Sequence, residues 1–123
     1  LVLGTGGAAK AVCVGLDMLD VEAQLVSRTA RPGVLTYADL TPEIMAQYKV
    51  IVNTTPLGMY PHVDEAPDIP YECLGPDHLC YDLLYNPDVT LFMKKAQAQG
   101  AEVKNGLEML LLQAFLSWEI WNS

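Results

Sequence analysis

The chain opens with LVLGTGGAAKA, in which three glycines separate an apolar run from residues that favour a helix. Residues 1–3 are typical of the end of a buried strand, and residues 8–11 of the start of a helix. A glycine turn between a strand and a helix presents free N–H groups and the positive end of the helix dipole to an anion. The opening therefore predicts a phosphate-binding turn.

The spacing of the turn makes this prediction more specific. Gly4, Gly6 and Ala9 fit the pattern G-x-G-x-x-G/A of dinucleotide-binding domains. In that pattern the first position makes the tight turn, the second lets the backbone approach a pyrophosphate, and the third lets helix and strand pack closely. No Lys-Ser or Lys-Thr pair follows the glycines, which disfavours a P-loop. A glycine turn of purely structural use is the alternative.

Length and charge limit the classes of protein that the chain can belong to. With 123 residues, 51% of them hydrophobic, the sequence predicts one globular domain over residues 1–123. A net charge of −8 disfavours nucleic acid and anionic membrane as partners. Residues 23–38 nevertheless contain Arg28 and Arg31 and no acid, so a local basic region is expected. The chain opens within a strand and has no initial Met, so we expect it to be a piece of a larger protein.

Cysteine and histidine usage predicts neither disulfides nor a metal site. Cys13, Cys73 and Cys80 are odd in number and form no C-x-x-C pair, which favours reduced thiols and a cytoplasmic location. His62 and His78 have no partners at metal-ligand spacing, and we expect one in an exposed loop and the other at a strand edge.

Apolar runs and helix-favouring segments alternate along the whole chain. Strands are predicted near residues 1–3, 23–26, 34–37, 49–53, 79–85 and 101–104, and helices near 8–19, from 42, 90–99 and 107–121. This alternation predicts an α/β fold with a mostly parallel, doubly wound sheet that has helices on both faces. Ligands bind such sheets beyond the carboxyl ends of the strands. The segments expected to line one crevice there are 4–9, 27–31, 53–59, 83–87 and 105–106.

The end of the second strand indicates which dinucleotide would bind. An NAD site places Asp or Glu about 20 residues past the glycines, where it accepts hydrogen bonds from the ribose 2′-hydroxyl. Here the strand ends in Ser27-Arg28-Thr29, without a carboxylate. The planar guanidinium of an arginine suits the 2′-phosphate of NADP. The sequence therefore favours NADP over NAD, with a solvated surface arginine as the alternative.

Five motifs in order resemble the nucleotide-binding domain of the shikimate dehydrogenases along essentially the whole chain. They are GTGGA at residues 4–8, SRT at 27–29, VNTTPLGM at 52–59, DLLYNP at 82–87, and NGLEML at 105–110 with Gln113. The family is known to reduce 3-dehydroshikimate to shikimate with NADPH, in the pathway to aromatic amino acids. The resemblance therefore implies a Rossmann-type NADP-binding domain.

Carried over by position, the resemblance also implies roles for individual residues. The implied cofactor-binding residues are Gly4, Thr5, Gly6, Gly7, Ala8, Ser27, Arg28, Thr29, Thr55, Leu83 and Gly106, and the implied substrate-binding residues are Tyr85 and Gln113. Two positions depart from the family pattern, because Ser27 stands where Asn is usual and Pro32 where Lys or Arg is usual. Arg31, one position earlier, is expected to substitute as a cofactor-binding residue.

The resemblance places the catalytic Lys and Asp of the family in a preceding substrate domain. No catalytic residue is therefore predicted in this chain, and the chain alone is expected to be inactive. The alternatives are a nucleotide-binding module without chemistry and a quinate-preferring relative. Asp82, within an apolar strand, is either a functional acid or a structural carboxylate bonded to loop N–H groups.

The last predicted helix, residues 107–121, is apolar nearly all round. It is too short for a membrane span, and three polar residues, Glu108, Gln113 and Glu119, interrupt it. A helix apolar on every side is normally buried. We expect part of it to contact the missing N-terminal domain and, without that domain, to form a symmetric homodimer through residues 118–121.

Overall fold

The computed structural model describes residues 1–58, 62–83 and 89–105. Its strands are β1 (Val2–Leu3), β2 (Leu25–Ser27), β3 (Leu35–Thr36), β4 (Val50–Asn53), β5 (Leu79–Asp82) and β6 (Glu102–Lys104). Its helices are α1 (Gly7–Met18), α2 (Pro42–Gln47) and α3 (Leu91–Ala98), with short 3₁₀ turns at Tyr37–Asp39 and Tyr71–Cys73. Tyr85, Gly106, Gln113 and the predicted helix 107–121 lie outside the described residues.

The six strands form one parallel sheet in the order β3-β2-β1-β4-β5-β6. Val2 of β1 aligns with Leu25 of β2 on one side and with Val52 of β4 on the other. From β1 the chain adds β2 and then β3 toward one edge of the sheet. It then returns to the other side of β1 and adds β4, β5 and β6 toward the opposite edge. This confirms the predicted Rossmann-type, doubly wound fold, with its switch point between β1 and β4.

Alternate residues of the central strands supply a core on each face of the sheet. Leu3 and Ile51 belong to the larger cluster, which also contains Met45 of α2 and Phe92 of α3. The smaller cluster, beneath α1, consists of Val2, Ala9, Val12 and Val52. Because both faces of the central strands are buried, β4 is apolar on both sides over most of its length, as parallel strands require.

Local sequence signals fix the ends of the helices. Thr41 and Thr90 cap α2 and α3, and each side chain accepts a backbone N–H three residues on. Gly100, with φ of +87°, ends α3, as the sequence predicts. Asp20, with φ of +57°, takes the equivalent place after α1. β2 begins at Leu25, two residues after the predicted Ala23. None of the described helices is long and apolar enough to cross a membrane.

Candidate nucleotide-binding site

A cleft of about 300 Å³ lies at the switch point, beyond the carboxyl ends of β1, β2 and β4. Ten described residues line it: Gly4, Thr5, Gly6, Ser27, Arg28, Tyr37, Thr54, Thr55, Pro56 and Leu57. Two segments contribute most of this lining. The glycine turn is residues 4–7, between β1 and α1, and the threonine loop is residues 54–57, after β4.

The fold itself requires glycine at position 4. Gly4 has φ of +113°, and a Cβ built there would lie 2.6 Å from Oγ1 of Thr54. The Gly4 N–H donates to the carbonyl of Val26 at 2.8 Å, which ties the turn to the end of β2. A side chain at position 4 would therefore both strain the backbone and push the threonine loop away.

The protein alone does not require the next two glycines. A Cβ at Gly6 or Gly7 would meet nothing within 4 Å, and Gly6 has an ordinary φ of −79°. Gly6 caps α1 without a side-chain hydrogen bond, and the first turn of α1 contains no acid. The open space above the turn and the uncapped helix start fit a pyrophosphate lying against the backbone.

The end of β2 brings a positive charge to the cleft. Arg28 is exposed, and among the described residues of the lining it is the charged one, since none of the others is Asp, Glu, Lys or His. Beside it, the Ser27 hydroxyl accepts a hydrogen bond from the Thr29 N–H at 3.2 Å. A guanidinium without a neighbouring carboxylate in the lining fits a phosphate ester at this end of the cleft.

Tyr37 also lines the cleft, and nothing in the sequence analysis singled it out. It is half-buried at the start of a 3₁₀ turn. Burial raises the pKa of the Tyr37 hydroxyl, the nearby charge of Arg28 partly offsets that rise, and the charge of Asp68 adds to it. The hydroxyl therefore stays protonated at neutral pH. The fold also brings Asp68 near residues 23–38, a segment whose own sequence contains no acid.

The threonine loop is held by hydrogen bonds to the sheet. The Thr54 hydroxyl donates to the Leu3 carbonyl at 2.6 Å, across from β4 to β1. Both the N–H and the hydroxyl of Thr55 donate to Oδ1 of Asn53, at 3.0 and 2.6 Å. The loop thus reaches the cleft with the hydroxyl donors of Thr54 and Thr55 already bonded to the protein.

Beneath this loop lies a buried polar cluster of Asn53, Asp82 and Thr90, each with no exposed surface. Oδ2 of Asp82 accepts a hydrogen bond from Nδ2 of Asn53 at 3.2 Å and another from the Thr90 hydroxyl at 2.7 Å. Of the two sequence-based alternatives for Asp82, these contacts favour the structural carboxylate. Two of its donors are side chains, one from β4 and one from the α3 cap.

The structure brings part of the predicted cofactor set into the cleft. The residues that line it are Gly4, Thr5, Gly6, Ser27, Arg28 and Thr55. Gly7 and Ala8 form the exposed first turn of α1, and Thr29 and Arg31 are exposed after β2, outside the lining. Leu83, just after β5, packs against the cluster beneath α1 and gives its N–H to the Asn53 carbonyl at 3.1 Å. Gly106, Tyr85 and Gln113 are not among the described residues.

The structure describes both histidines and all three cysteines. His78 is buried, whereas the sequence suggested a strand-edge residue: Nδ1 accepts the Gly75 N–H, and Nε2 lies 2.8 Å from the Met45 carbonyl. The three cysteines are free thiols, and burial raises the pKa of Cys80 to about 12. In the described part of the chain, no group of three or more His, Cys, Asp or Glu could hold a metal ion.

The sheet order, the glycine turn and the cleft at the switch point together define a dinucleotide-binding domain of the Rossmann type. No protein-family model matches the chain. The chain is 35% identical to the NADP(+) shikimate dehydrogenase of Desulforamulus reducens over 139 residues, which covers 98% of this chain and 48% of that protein. This match confirms that the chain is homologous to part of the shikimate dehydrogenases.

Two solved structures extend the comparison to the fold. Shikimate 5-dehydrogenase from Listeria monocytogenes, in complex with shikimate and NAD, matches 98% of this chain and 50% of its own, with a TM-score of 0.79 and 25% identity. Quinate dehydrogenase from Corynebacterium glutamicum, in complex with NAD, matches 92% of this chain and 45% of its own, with a TM-score of 0.72 and 27% identity. The chain spans about half the length of the relatives that it matches.

Proposed function

We propose that this chain is the NADP-binding domain of a two-domain shikimate dehydrogenase, an enzyme that reversibly reduces 3-dehydroshikimate to shikimate. The observation that carries the proposal is the cleft itself. It joins open space above Gly6 to the charge of Arg28, with no carboxylate among its described lining residues. An uncapped helix start suits the pyrophosphate of NADP, and a guanidinium suits its 2′-phosphate.

The residues of the cleft suggest how the cofactor would be held. Pyrophosphate would lie against the glycine turn, and the 2′-phosphate against Arg28 with help from Ser27 and Thr29. Arg31 lies outside the lining and would have to reach the phosphate from the exposed loop. Leu83 has its N–H bonded to Asn53, so a contact with the nicotinamide would come from its carbonyl. Bound NADPH would supply the hydride for the ketone carbon.

The proton for this reaction must come from outside the described cleft. Reduction of a ketone needs a proton donor near the carbonyl oxygen as the hydride arrives. The described lining contains no carboxylic acid and no lysine, and Tyr37 lines the cleft together with Arg28, toward the proposed phosphate end. We therefore propose that the acid–base residues belong to the substrate domain of the complete enzyme, and that Tyr85 and Gln113 contribute substrate contacts from this chain.

Titration of the two cofactors tests the proposal. Calorimetry should show tighter binding of NADP than of NAD, and Arg28→Ala should remove most of the difference, about 1.5–3 kcal/mol for a charge-assisted contact. Arg31→Ala compares the two arginines: Arg31 is also exposed but lies outside the lining, so its loss should reduce the difference less than the loss of Arg28. Equal affinity of the wild-type chain for both cofactors would reject the NADP assignment.

Two alternatives make different predictions. A quinate-preferring relative is favoured by the fold match to quinate dehydrogenase, and in the complete enzyme it would oxidise quinate faster than shikimate. A binding module without chemistry would bind NADP and support no turnover even when joined to the rest of the protein. The 123-residue chain alone should not reduce NADP with excess shikimate, because the acid–base pair is missing. Steady turnover by this chain alone would show that the other domain is dispensable.

Two further expectations rest on less of the described chain. A cytoplasmic location agrees with three free thiols. A homodimer through residues 118–121 concerns residues outside the described ones, and sedimentation of the wild type beside a Trp118→Glu, Trp121→Glu variant tests it. A monomeric wild type at tens of micromolar would refute the dimer.

A further inference from the structure

We propose that Asp82, acting through Asn53, is a positioning residue for the cleft, and that it fixes the Thr55 hydroxyl as a hydrogen-bond acceptor toward the ligand. The ligand chemistry that follows is a sugar hydroxyl of a nucleotide, not a phosphate oxygen. The ligand rests on the proposed function, whereas the positioning rests on contacts within the protein.

The first step is the orientation of the Asn53 amide. Asn53 and Asp82 are register partners at the carboxyl ends of β4 and β5, and both are completely buried. Nδ2 of Asn53 donates to Oδ2 of Asp82 at 3.2 Å, so the amide turns its NH₂ group toward Asp82. The Asn53 carbonyl oxygen is thereby directed to the threonine loop.

The second step is the Thr55 hydroxyl. With the Asn53 oxygen directed to the loop, Thr55 donates to it twice, from N–H at 3.0 Å and from Oγ1 at 2.6 Å. A hydroxyl has one proton to donate, and here that proton is used. The same oxygen accepts a long hydrogen bond from the Leu57 N–H at 3.4 Å, which leaves it one further acceptor position. Because Thr55 lines the cleft, it offers a ligand an acceptor.

The third step is the anchoring of Asp82. The Thr90 hydroxyl donates to Oδ2 at 2.7 Å, and as the α3 cap it also accepts the Met93 N–H at 3.3 Å. The carboxylate is therefore held between the end of β4 and the start of α3. A buried carboxylate is costly without hydrogen bonds, so this arrangement holds its geometry firmly.

Amide hydrogen exchange followed by NMR tests the positioning. In the wild-type chain, the Thr55 amide should exchange at least about tenfold more slowly than an exposed loop amide such as that of Asp64. Asp82→Ala should remove most of this protection and weaken AMP binding about tenfold, because the loop loses its fixed acceptor. Asp82→Asn keeps an oxygen for the same donors and should restore most of both. Thr41→Val, a cap variant away from the cleft, should change neither.

NMR titration with adenosine and with AMP tests the acceptor role. Thr55→Val should weaken both ligands by the same factor, because the bond lost is to the sugar. A loss confined to AMP would show that Thr55 bonds phosphate and would overturn the acceptor assignment. Fast exchange at Thr55 in the wild type would overturn the positioning, even if Asp82→Ala does not fold. Binding of neither adenosine nor AMP would instead reject the proposed function, while the exchange rates still decide the role of Asp82.

Discussion

The glycine turn and the threonine loop line the same cleft, and they differ in what their polar groups bond to. The threonine loop is bonded inward: Thr54 to β1, and Thr55 to the buried cluster through Asn53. Within the described part of the chain, the glycine turn is bonded to the sheet at Gly4, while the start of α1 after Gly6 has no side-chain cap. The threonine loop therefore has these donors bonded within the protein and offers a ligand an acceptor, whereas the glycine turn offers backbone donors.

This difference separates residues that the fold needs from residues that a ligand needs. Substitutions in the threonine loop and in the buried polar cluster beneath it should reduce the free energy of unfolding, because they leave buried polar groups without partners. Changes at the open start of α1 should alter affinity and leave the free energy of unfolding nearly unchanged. Gly4 is the exception that links the two segments, because its missing Cβ makes room for Thr54.

The largest expected effect is at this link. Gly4→Ala should reduce the free energy of unfolding by about 2–4 kcal/mol, because alanine is strained at φ of +113° and its Cβ would lie 2.6 Å from Thr54 Oγ1. Chemical denaturation measures it. Gly15→Ala within α1 is the control, since a Cβ there meets nothing within 4 Å and should stabilise the helix by up to about 1 kcal/mol. Similar stability of the two variants would mean that the two segments are not linked at Gly4.

The next largest effect is expected at Thr90, and the comparison with Thr41 shows how much stability the buried cluster adds beyond helix capping. Thr90→Val should cost about 2–3 kcal/mol, since it removes a cap and leaves the buried Asp82 with one fewer donor. Thr41→Val should cost about 1 kcal/mol, because this exposed cap accepts a similar 3.3 Å hydrogen bond, from the Ile44 N–H. Denaturant titrations of both variants give the difference. If the two losses are equal, the buried cluster contributes nothing beyond capping.

The smallest expected change in stability comes with a loss of affinity at the open start of α1. Gly6→Ser should leave the free energy of unfolding within about 0.5 kcal/mol of the wild type, because serine is a good N-cap and the space around position 6 is empty. Its side chain should nevertheless weaken AMP binding about tenfold by filling the space that a phosphate would use. If Gly6→Ser unfolds more easily but binds AMP normally, the start of α1 serves the fold and not the ligand.

Most of the framework was predictable from sequence because its signals are local. Each of these signals determines the structure of only a few neighbouring residues. They are the glycine spacing, the β-branched run of β4, the Thr41-Pro42 helix start and Gly100. The alternation of strands and helices then restricts the fold to a mostly parallel sheet with helices on both faces.

The remaining parts of the site depend on which strands become neighbours. Tyr37 reaches the cleft because β3 pairs with β2, and nothing in its own sequence surroundings predicts that. The contact of Asp82 with Asn53 depends on the register of β5 on β4, a pairing across 29 positions. His78 likewise becomes buried because α2 packs over it through the Met45 carbonyl. These are tertiary facts, to which helix and strand periodicity carry no information.

The central claim is that the cleft distinguishes a nucleotide with a 2′-phosphate from one without it. The most direct measurement is a calorimetric titration of the wild-type chain with adenosine 2′,5′-bisphosphate and with AMP, which differ only in that group. We expect the bisphosphate to bind at least about tenfold more tightly, since Arg28 would add a charge-assisted contact. We also expect the preference to weaken as salt rises, because Arg28 is exposed. Equal affinity for the two nucleotides at low salt would contradict the account.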